Sequence, residues 1–202
     1  MPEPDPKSKI QNPKSQKTPP KPWEIISSIR DKSYRVFSLR TDRAISPRTG
    51  KEHDFFILES SSWVNIISLT PEQEVVLVRQ YRHGTRDVTL EIPGGLVEKS
   101  DTPEQAARRE LFEETGYRPL ETYSLGSVHP NPAIQSNECY TFLAKDVFVD
   151  GEQQQDERED IEVLLRPLSA IPQLIRDREI THSLVLAAFY RFFMEYRSDF
   201  SR

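Results

Sequence analysis

The sequence predicts a mixed α/β (α+β) fold, a helix-sheet-helix sandwich with a β-rich extension before it, and three observations carry that reading. Short β-rich runs fill the chain from residue 23 to the middle; one helix crowded with carboxylates interrupts them; a longer apolar helix closes the 202 residues.

Residues 1–22 are rich in Pro, Lys, Ser and Gln and hold few large apolar side chains, so they cannot bury enough surface to offset the entropy of ordering and read as a flexible tail. The runs "WEIISSI", "YRVFSLRTDRAI", "HDFFILE", "WVNIISLT" and "EVVLVRQYR" follow as strands, with "SPRTGK" and "TPEQE" as turns between them. "VTLEIP" adds a short strand that leads into Gly94 and Gly95. The helix after it has Asp101 or Thr102 as N-cap, Pro103 in its first position and Gly116 as its stop. "LETYSLGSV" and "CYTFLAKDVFV" are further strands separated by the loop "HPNPAIQSNE", and the acidic segment "DEREDIEV" leads into a last strand. Two helices are predicted to finish the chain, at about 169–176 and 181–196, the second with Leu184, Ala187, Ala188 and Phe192 at helical spacing.

Composition narrows the function classes. A formal charge of -5 and 36% hydrophobic residues lack the basic excess that phosphate contacts demand, so no nucleic-acid partner is expected. Cys139 is the only cysteine, which excludes an intrachain disulfide and fits a reducing, cytoplasmic setting. No apolar run approaches the ~20 residues of a membrane span and the N-terminus lacks a signal-peptide core, so no membrane association is expected. Cys139 heads an apolar strand and is expected to be buried and inert. His83 and His129 are assigned no catalytic role, and His182 is expected to be exposed.

The helix poses the chemical question. Five of the seven residues at 108–114 are charged, and Glu113 and Glu114 each sit one turn on from Glu110, towards the end where the helix dipole disfavours anions. A solvated face with ordinary ion pairs is one reading. The other is a site for a hard divalent cation such as Mg²⁺, which prefers oxygen ligands and removes the repulsion.

Spacing favours the second. Gly95, five residues, Asp101, seven residues, then "RELFEETGY" from Arg109 to Tyr117 resembles the signature of the Nudix hydrolases over 23 residues. It departs at one fixed position, Asp101, where that family has Glu; a role in supporting the helix start tolerates the change, whereas a role in binding a further ion would be weakened by the shorter side chain. The resemblance implies a pyrophosphohydrolase that uses Mg²⁺ or Mn²⁺. It carries Glu110 and Glu114 over as the core metal ligands and the Gly94 carbonyl as a group completing the shell. Glu113 is a ligand or a partner behind the ligands and joins the catalytic set with Arg109, which balances or orients a glutamate. Cations are needed because a diphosphate repels hydroxide until its oxygens are neutralised.

Outside the helix, "EVVLVRQYRHG" with "LEIPGG" resembles the branch that cleaves ADP-ribose and nucleoside diphosphate sugars. That implies a strand arginine on a substrate phosphate, Arg82 first and Arg79 second, and Pro132, fifteen positions after Tyr117, as a rigid element against the sugar or terminal phosphate. The acidic segment is similar to the one that supplies the catalytic base there: Glu157 as general base and Glu159 as an additional metal ligand, with Glu152, Asp156 and Asp160 close enough for the assignment to shift. Trp23, Tyr34, Phe37 and Trp63 are the aromatics available to stack on a base. In similar enzymes the N-terminal strands pack across a two-fold interface. Residues 23–59 are accordingly expected to form a β-rich dimerisation segment of a homodimer and 60–202 the hydrolase domain, acting on a small-molecule nucleotide sugar. ADP-ribose leads, with GDP-mannose or a broad set of such sugars as alternatives, and a non-hydrolytic nucleotide-binding module as the alternative of a different class.

Overall fold

The computed structural model describes residues 19–155 and 157–196. An antiparallel meander comes first: β1 (Glu24–Ser33), β2 (Ser38–Ile45) and β3 (Glu52–Glu59), in that spatial order. The turn between β1 and β2 closes where the Tyr34 amide donates to the Phe37 carbonyl at 2.7 Å, so the second strand starts four residues later than its apolar run suggests. Every residue of β1 is exposed. The meander is tied to the rest of the protein through Leu58, whose amide donates to the Ile134 carbonyl and whose carbonyl accepts from Ser136.

Two sheets form the middle layer. One has the order β7 (Gly94–Leu96), β4 (Trp63–Ser68), β10 (Cys139–Lys145), β9 (Glu121–Val128), with β4 and β10 parallel. The other has the order β12 (Ile161–Pro167), β5 (Glu74–Arg82), β6 (Asp87–Glu91), all antiparallel. A two-stranded pair, β8 (Tyr117–Arg118) with β11 (Phe148–Val149), lies apart. The expected continuous strand at 139–149 is therefore two, broken at Asp146, whose φ of 50° is left-handed and cannot continue a strand.

Helix α1 (Pro103–Thr115) covers one face of this layer and α3 (Ser183–Glu195) the other, with α2 (Ile171–Arg176) between them in sequence. Strand alternation explains how one run serves both sides. Val64, Ile66, Val76, Phe142 and Ala144 pack with Ala106, Ala107 and Leu111 of α1. Their neighbours Ile67, Val75, Leu77 and Leu143 pack with Val185, Ala188, Phe189 and Phe192 of α3. Covered on both faces, β4 and β5 carry apolar residues at most positions, as in the run Val75 to Val78 of β5, while Asn65 and Ser68 are buried polar exceptions in β4.

The expected helix at 169–176 divides into a 3₁₀ turn, Leu168–Ala170, and α2, with Pro172 in the first turn of α2, where no amide donor is missed. The expected helix at 181–196 begins at Ser183, because His182 stands outside it as the N-cap. Among the described residues no helix is long and apolar enough to cross a membrane.

Candidate active site

Helix α1 starts on a reciprocal cap. The Gln105 amide donates to Thr102 Oγ1 at 3.2 Å and the Thr102 amide donates to the Gln105 side chain at 2.8 Å. Thr102 is thus the cap, and the Asp101 side chain turns instead to Arg109, whose Nε donates to its Oδ2 at 3.1 Å. The same guanidinium donates to Glu110 and Glu113, both at 2.9 Å, and to the Leu96 carbonyl at 3.1 Å. Arg109 therefore ties the loop before α1 to two of its carboxylates. At the other end Gly116 adopts φ 75° and returns its amide to the Phe112 carbonyl at 2.7 Å, a left-handed cap that suits glycine. No basic residue stands in this last turn to meet the carboxylates.

Those carboxylates turn inward. Glu114 is 4% exposed, and its Oε2 accepts from the Gly94 amide at 3.0 Å. Burial pushes its carboxyl up to about 8; Glu110 and Glu159 add to the rise, while the Gly94 amide and Arg82 oppose it. Burial also pushes Glu110 up, against the pull of Arg109. The Glu110 carboxylate lies directly against Gly95, where a Cβ would meet it at 2.4 Å. The Gly-Gly pair that opens β7 is thus where β7 and α1 touch, with Gly94 giving an amide and Gly95 giving space.

Among the described residues no three His, Cys, Asp or Glu side chains are already gathered as a closed metal cage. The donor set nevertheless suits a hard divalent cation: Glu110 and Glu114 are two largely buried carboxylates, Glu110 raises the cost of ionising Glu114, and Glu114 has no ion pair of its own among the described residues, Arg109 pairing with Glu110 and Glu113 instead. Of the acidic segment, Glu159 lies close enough to be felt by both glutamates, and Glu157 is exposed in a turn. Asp156 lies outside the described residues.

Beside Gly94 and Gly95 opens a cavity of about 680 Å³, lined also by Trp63, Asn65, Arg82, Glu91 and His182. Arg82 stands here with its Nε and Nη2 each 2.7 Å from the Glu91 carboxylate. Arg79, three residues back on β5, faces the opposite side and pairs with Glu162 on β12 at 2.8 Å. Pro132 is exposed in a turn whose Asn131 carbonyl accepts from the Ile134 and Gln135 amides, and which is the turn that Leu58 of β3 grips. Trp63 lines the cavity, whereas Trp23 packs edge-on to Phe55 in the N-terminal meander. Cys139 is buried, and burial pushes its thiol up to about 12.

Sequence reasoning gave Glu91 no role and expected His182 to be exposed. A carboxylate between Leu90 and Ile92 in a short strand was a usable signal, since a buried acid needs a cation and Arg82 stands on the paired strand. His182 is half-buried rather than exposed, because its Nδ1 accepts from the Leu184 amide at 3.2 Å to cap α3.

Known proteins resemble this chain in sequence and in fold. Residues 61–188 match the family model of the NUDIX domain. The chain is 31% identical over 149 residues to an ADP-ribose pyrophosphatase of Bacillus subtilis, covering 73% of this chain and 80% of that protein. It is 31% identical over 171 residues to a GDP-mannose pyrophosphatase of Salmonella arizonae, covering 77% and 88%, and 30% identical over 157 residues to a methanol dehydrogenase activator of Bacillus methanolicus, covering 77% and 84%. A crystal structure of an ADP compounds hydrolase superimposes with a TM-score of 0.80 over 92% of this chain and 100% of that one, at 19% identity, a likeness of fold. With more than half of its length inside the domain and the signature helix folded against the Gly-Gly pair of β7, the chain belongs to the Nudix family.

Proposed function

We propose that this Nudix pyrophosphohydrolase cleaves a nucleoside diphosphate sugar to a nucleoside monophosphate and a sugar phosphate, with ADP-ribose as the first candidate. The observation that carries the reading is the meeting of Glu110, Glu114 and the Gly94-Gly95 pair of β7 at the edge of a cavity lined by Arg82. Carboxylates for cations and an arginine for an anion stand side by side, as a substrate that is itself anionic requires.

Glu110 and Glu114, with Glu159 and the Gly94 backbone, would hold Mg²⁺ or Mn²⁺. When bound, these ions neutralise the diphosphate oxygens and lower the pKa of the attacking water. Glu157 takes a proton from that water as its oxygen forms a bond to one phosphorus and the bridging P–O bond breaks, the departing phosphate keeping the electron pair. Arg109 keeps Glu110 and Glu113 oriented through the contacts already described, and Arg82 receives a phosphate oxygen. Arg79 and Pro132 are the further candidates for substrate contact.

GDP-mannose is the main rival, since carboxylates and arginines that bind a diphosphate do not read the base, and the relatives carry both names. A module that binds without cleaving is disfavoured by the presence of all three signature glutamates. Two features support a homodimer: the fully exposed β1, and the exposed Trp23, Ile25, Ile29, Tyr34, Val36 and Phe56 around it. The test is hydrolysis of a panel, ADP-ribose, GDP-mannose, UDP-glucose, a dinucleoside tetraphosphate and nucleoside triphosphates, with Mg²⁺, Mn²⁺ or chelator. Metal-dependent turnover led by one nucleotide sugar is expected, and equal or no turnover across the panel would overturn the proposal.

A further inference from the structure

We infer that Glu91 is a positioning residue: it clamps one edge of the Arg82 guanidinium so that the other edge is presented to an anionic group in the cavity. The inference rests on reading that cavity as the diphosphate site.

The clamp follows from strand register. Arg82 on β5 is directly opposite Asp87 on β6, and positions 87, 89 and 91 share one face of β6, so Arg82, Thr89 and Glu91 stand on the same side of the hairpin. Glu91 is 2% exposed, and a carboxylate so buried must be satisfied by donors. It has three: Arg82 Nε on Oε1 and Arg82 Nη2 on Oε2, both at 2.7 Å, and Thr89 Oγ1 on Oε1 at 2.6 Å. Burial alone would push this carboxyl up, yet the hydrogen bonds and charge of Arg82, with Thr89 and His182, hold it below its ordinary value. It is therefore an anion at neutral pH and a permanent partner for Arg82.

The geometry of a guanidinium does the rest. Its five N–H groups lie in one plane, and a carboxylate that takes Nε and one Nη2 proton occupies a single edge. The two protons of Nη1 and the outer proton of Nη2 are left on the side turned away. The exposure of the pair lies with the arginine: the Arg82 side chain is 40% exposed and that of Glu91 3%. Arg82 lines the cavity together with Gly94 and Gly95 of β7, and we assign its free edge to that space.

A second consequence concerns Glu114. Arg82 lies near enough for each group to shift the other. An unclamped arginine could swing onto that buried carboxylate and neutralise it. Held by Glu91, it stays aligned with the ligand and leaves Glu114 to a cation. His182 completes the surround. Its Nδ1 accepts from the Leu184 amide, and its Nε2 lies 4.0 Å from Glu91 Oε2. The start of α3 thus abuts the clamp without displacing Arg82.

The experiment is a calorimetric titration with inorganic pyrophosphate in the presence of Mg²⁺, on the full chain and on Arg82→Ala, Glu91→Gln and the double variant. With the loss of a charge-assisted contact as guide, Arg82→Ala should weaken binding by roughly thirtyfold and Glu91→Gln by roughly tenfold. The double variant should bind no more weakly than Arg82→Ala, because Glu91 acts only through the arginine. Thr89→Val and Thr89→Ser form a milder pair that preserves the buried charge. Valine should weaken binding a few-fold and serine restore it. Binding by Glu91→Gln equal to wild type, a further loss in the double variant, or no pyrophosphate binding by the wild type would each overturn the inference. Failure of the substrate reading looks different: no nucleotide sugar turns over, while the pyrophosphate pattern across the variants persists.

Discussion

Gly95 and Glu110 are packed so closely that a methyl group on residue 95 would lie 2.4 Å from the Glu110 carboxylate. The atoms that would have to give way are the far end of a glutamate side chain, which moves easily, so the fold does not depend on this contact. The position of the carboxylate does. Gly95→Ala should leave the melting temperature within a few degrees of wild type while lowering kcat/KM by about 10²-fold, the cost of misplacing a working group by about 1 Å. Thermal unfolding and steady-state kinetics on the same preparation check both halves.

Glu114→Gln tests the cation site from the other side. The amide keeps the shape and can still accept from the Gly94 amide, but it carries no charge for a metal. Turnover should fall by roughly 10³-fold, and Mn²⁺ binding followed by electron paramagnetic resonance should weaken in parallel. Glu157→Gln should instead slow turnover with Mn²⁺ binding intact. Near-normal turnover in the first variant would remove Glu114 from the site, and weakened Mn²⁺ binding in the second would make Glu157 a ligand rather than a base.

Asp101, the one break in the signature, reaches Arg109, which also holds Glu110, Glu113 and the Leu96 carbonyl. One of four anchors is therefore at stake in Asp101→Asn, and the loss in kcat/KM should stay below about tenfold, with the metal requirement unchanged. Asp101→Glu should lie within twofold of wild type. A shift of the Mg²⁺ dependence in either variant would show that residue 101 serves an ion.

What the sequence made legible was whatever repeats at short range. The start of α1 at Asp101 or Thr102, its Gly116 stop and the strands β4 and β5 follow from residues a few positions apart and were readable, although the choice of Thr102 as cap and the burial of both strand faces were not. That Glu110, Glu113 and Glu114 stand together on α1 was readable because the signature fixes their spacing. Glu91 left a partial signal, an acid flanked by apolar residues, but its pairing with Arg82 depends on the register between β5 and β6 and the capping role of His182 on where α3 begins, relations that local pattern does not encode. The break at Asp146 was hidden for a related reason: an apolar run continues through it, and only the left-handed backbone shows that the chain turns.

The N-terminal meander should be the first part of the protein to loosen in acid. Asp42 accepts from Arg40 Nε and Nη2, both at 2.9 Å, and from Ser28 Oγ at 2.6 Å, and Glu59 accepts from Arg30 and Arg40. Arg40 and Ser28 hold Asp42 below its ordinary 3.8, and Arg30 and Arg40 hold Glu59 below its ordinary 4.5. Depressed carboxyl pKa values contribute stability that is complete above the unfolded values and is lost as pH falls through the folded ones. Amide protection across β1 to β3 should therefore decline below about pH 4.5, while Val76 and Leu77 in the middle layer stay protected. In Asp42→Asn the meander should be looser at neutral pH and change less on acidification; an unchanged acid response would locate the sensitivity elsewhere.

Ile29 on β1 and Phe56 on β3 are both in register with Thr41 on β2, so they lie on one face of the meander, two strands apart. They are 60% and 62% exposed, and among the described residues nothing covers that face. An apolar surface of this kind is stable in water when it is buried against a partner, and a lasting interface needs about 1,000 Å² or more, which a three-stranded sheet can supply. A second copy of the chain is the partner proposed here. Light scattering should give twice the 23.5 kDa mass of one chain. Ile29→Glu with Phe56→Glu should return the monomer without lowering the melting temperature of the middle layer by more than a few degrees, because neither side chain touches that core. If the partner's meander completes the nucleotide pocket, the monomer should show KM raised by roughly tenfold or more with kcat changed far less, since Glu110 and Glu114 remain in place. A wild-type protein that is monomeric at micromolar concentration would sink the dimer, and a monomeric variant with unchanged KM would keep the dimer but separate it from the substrate site.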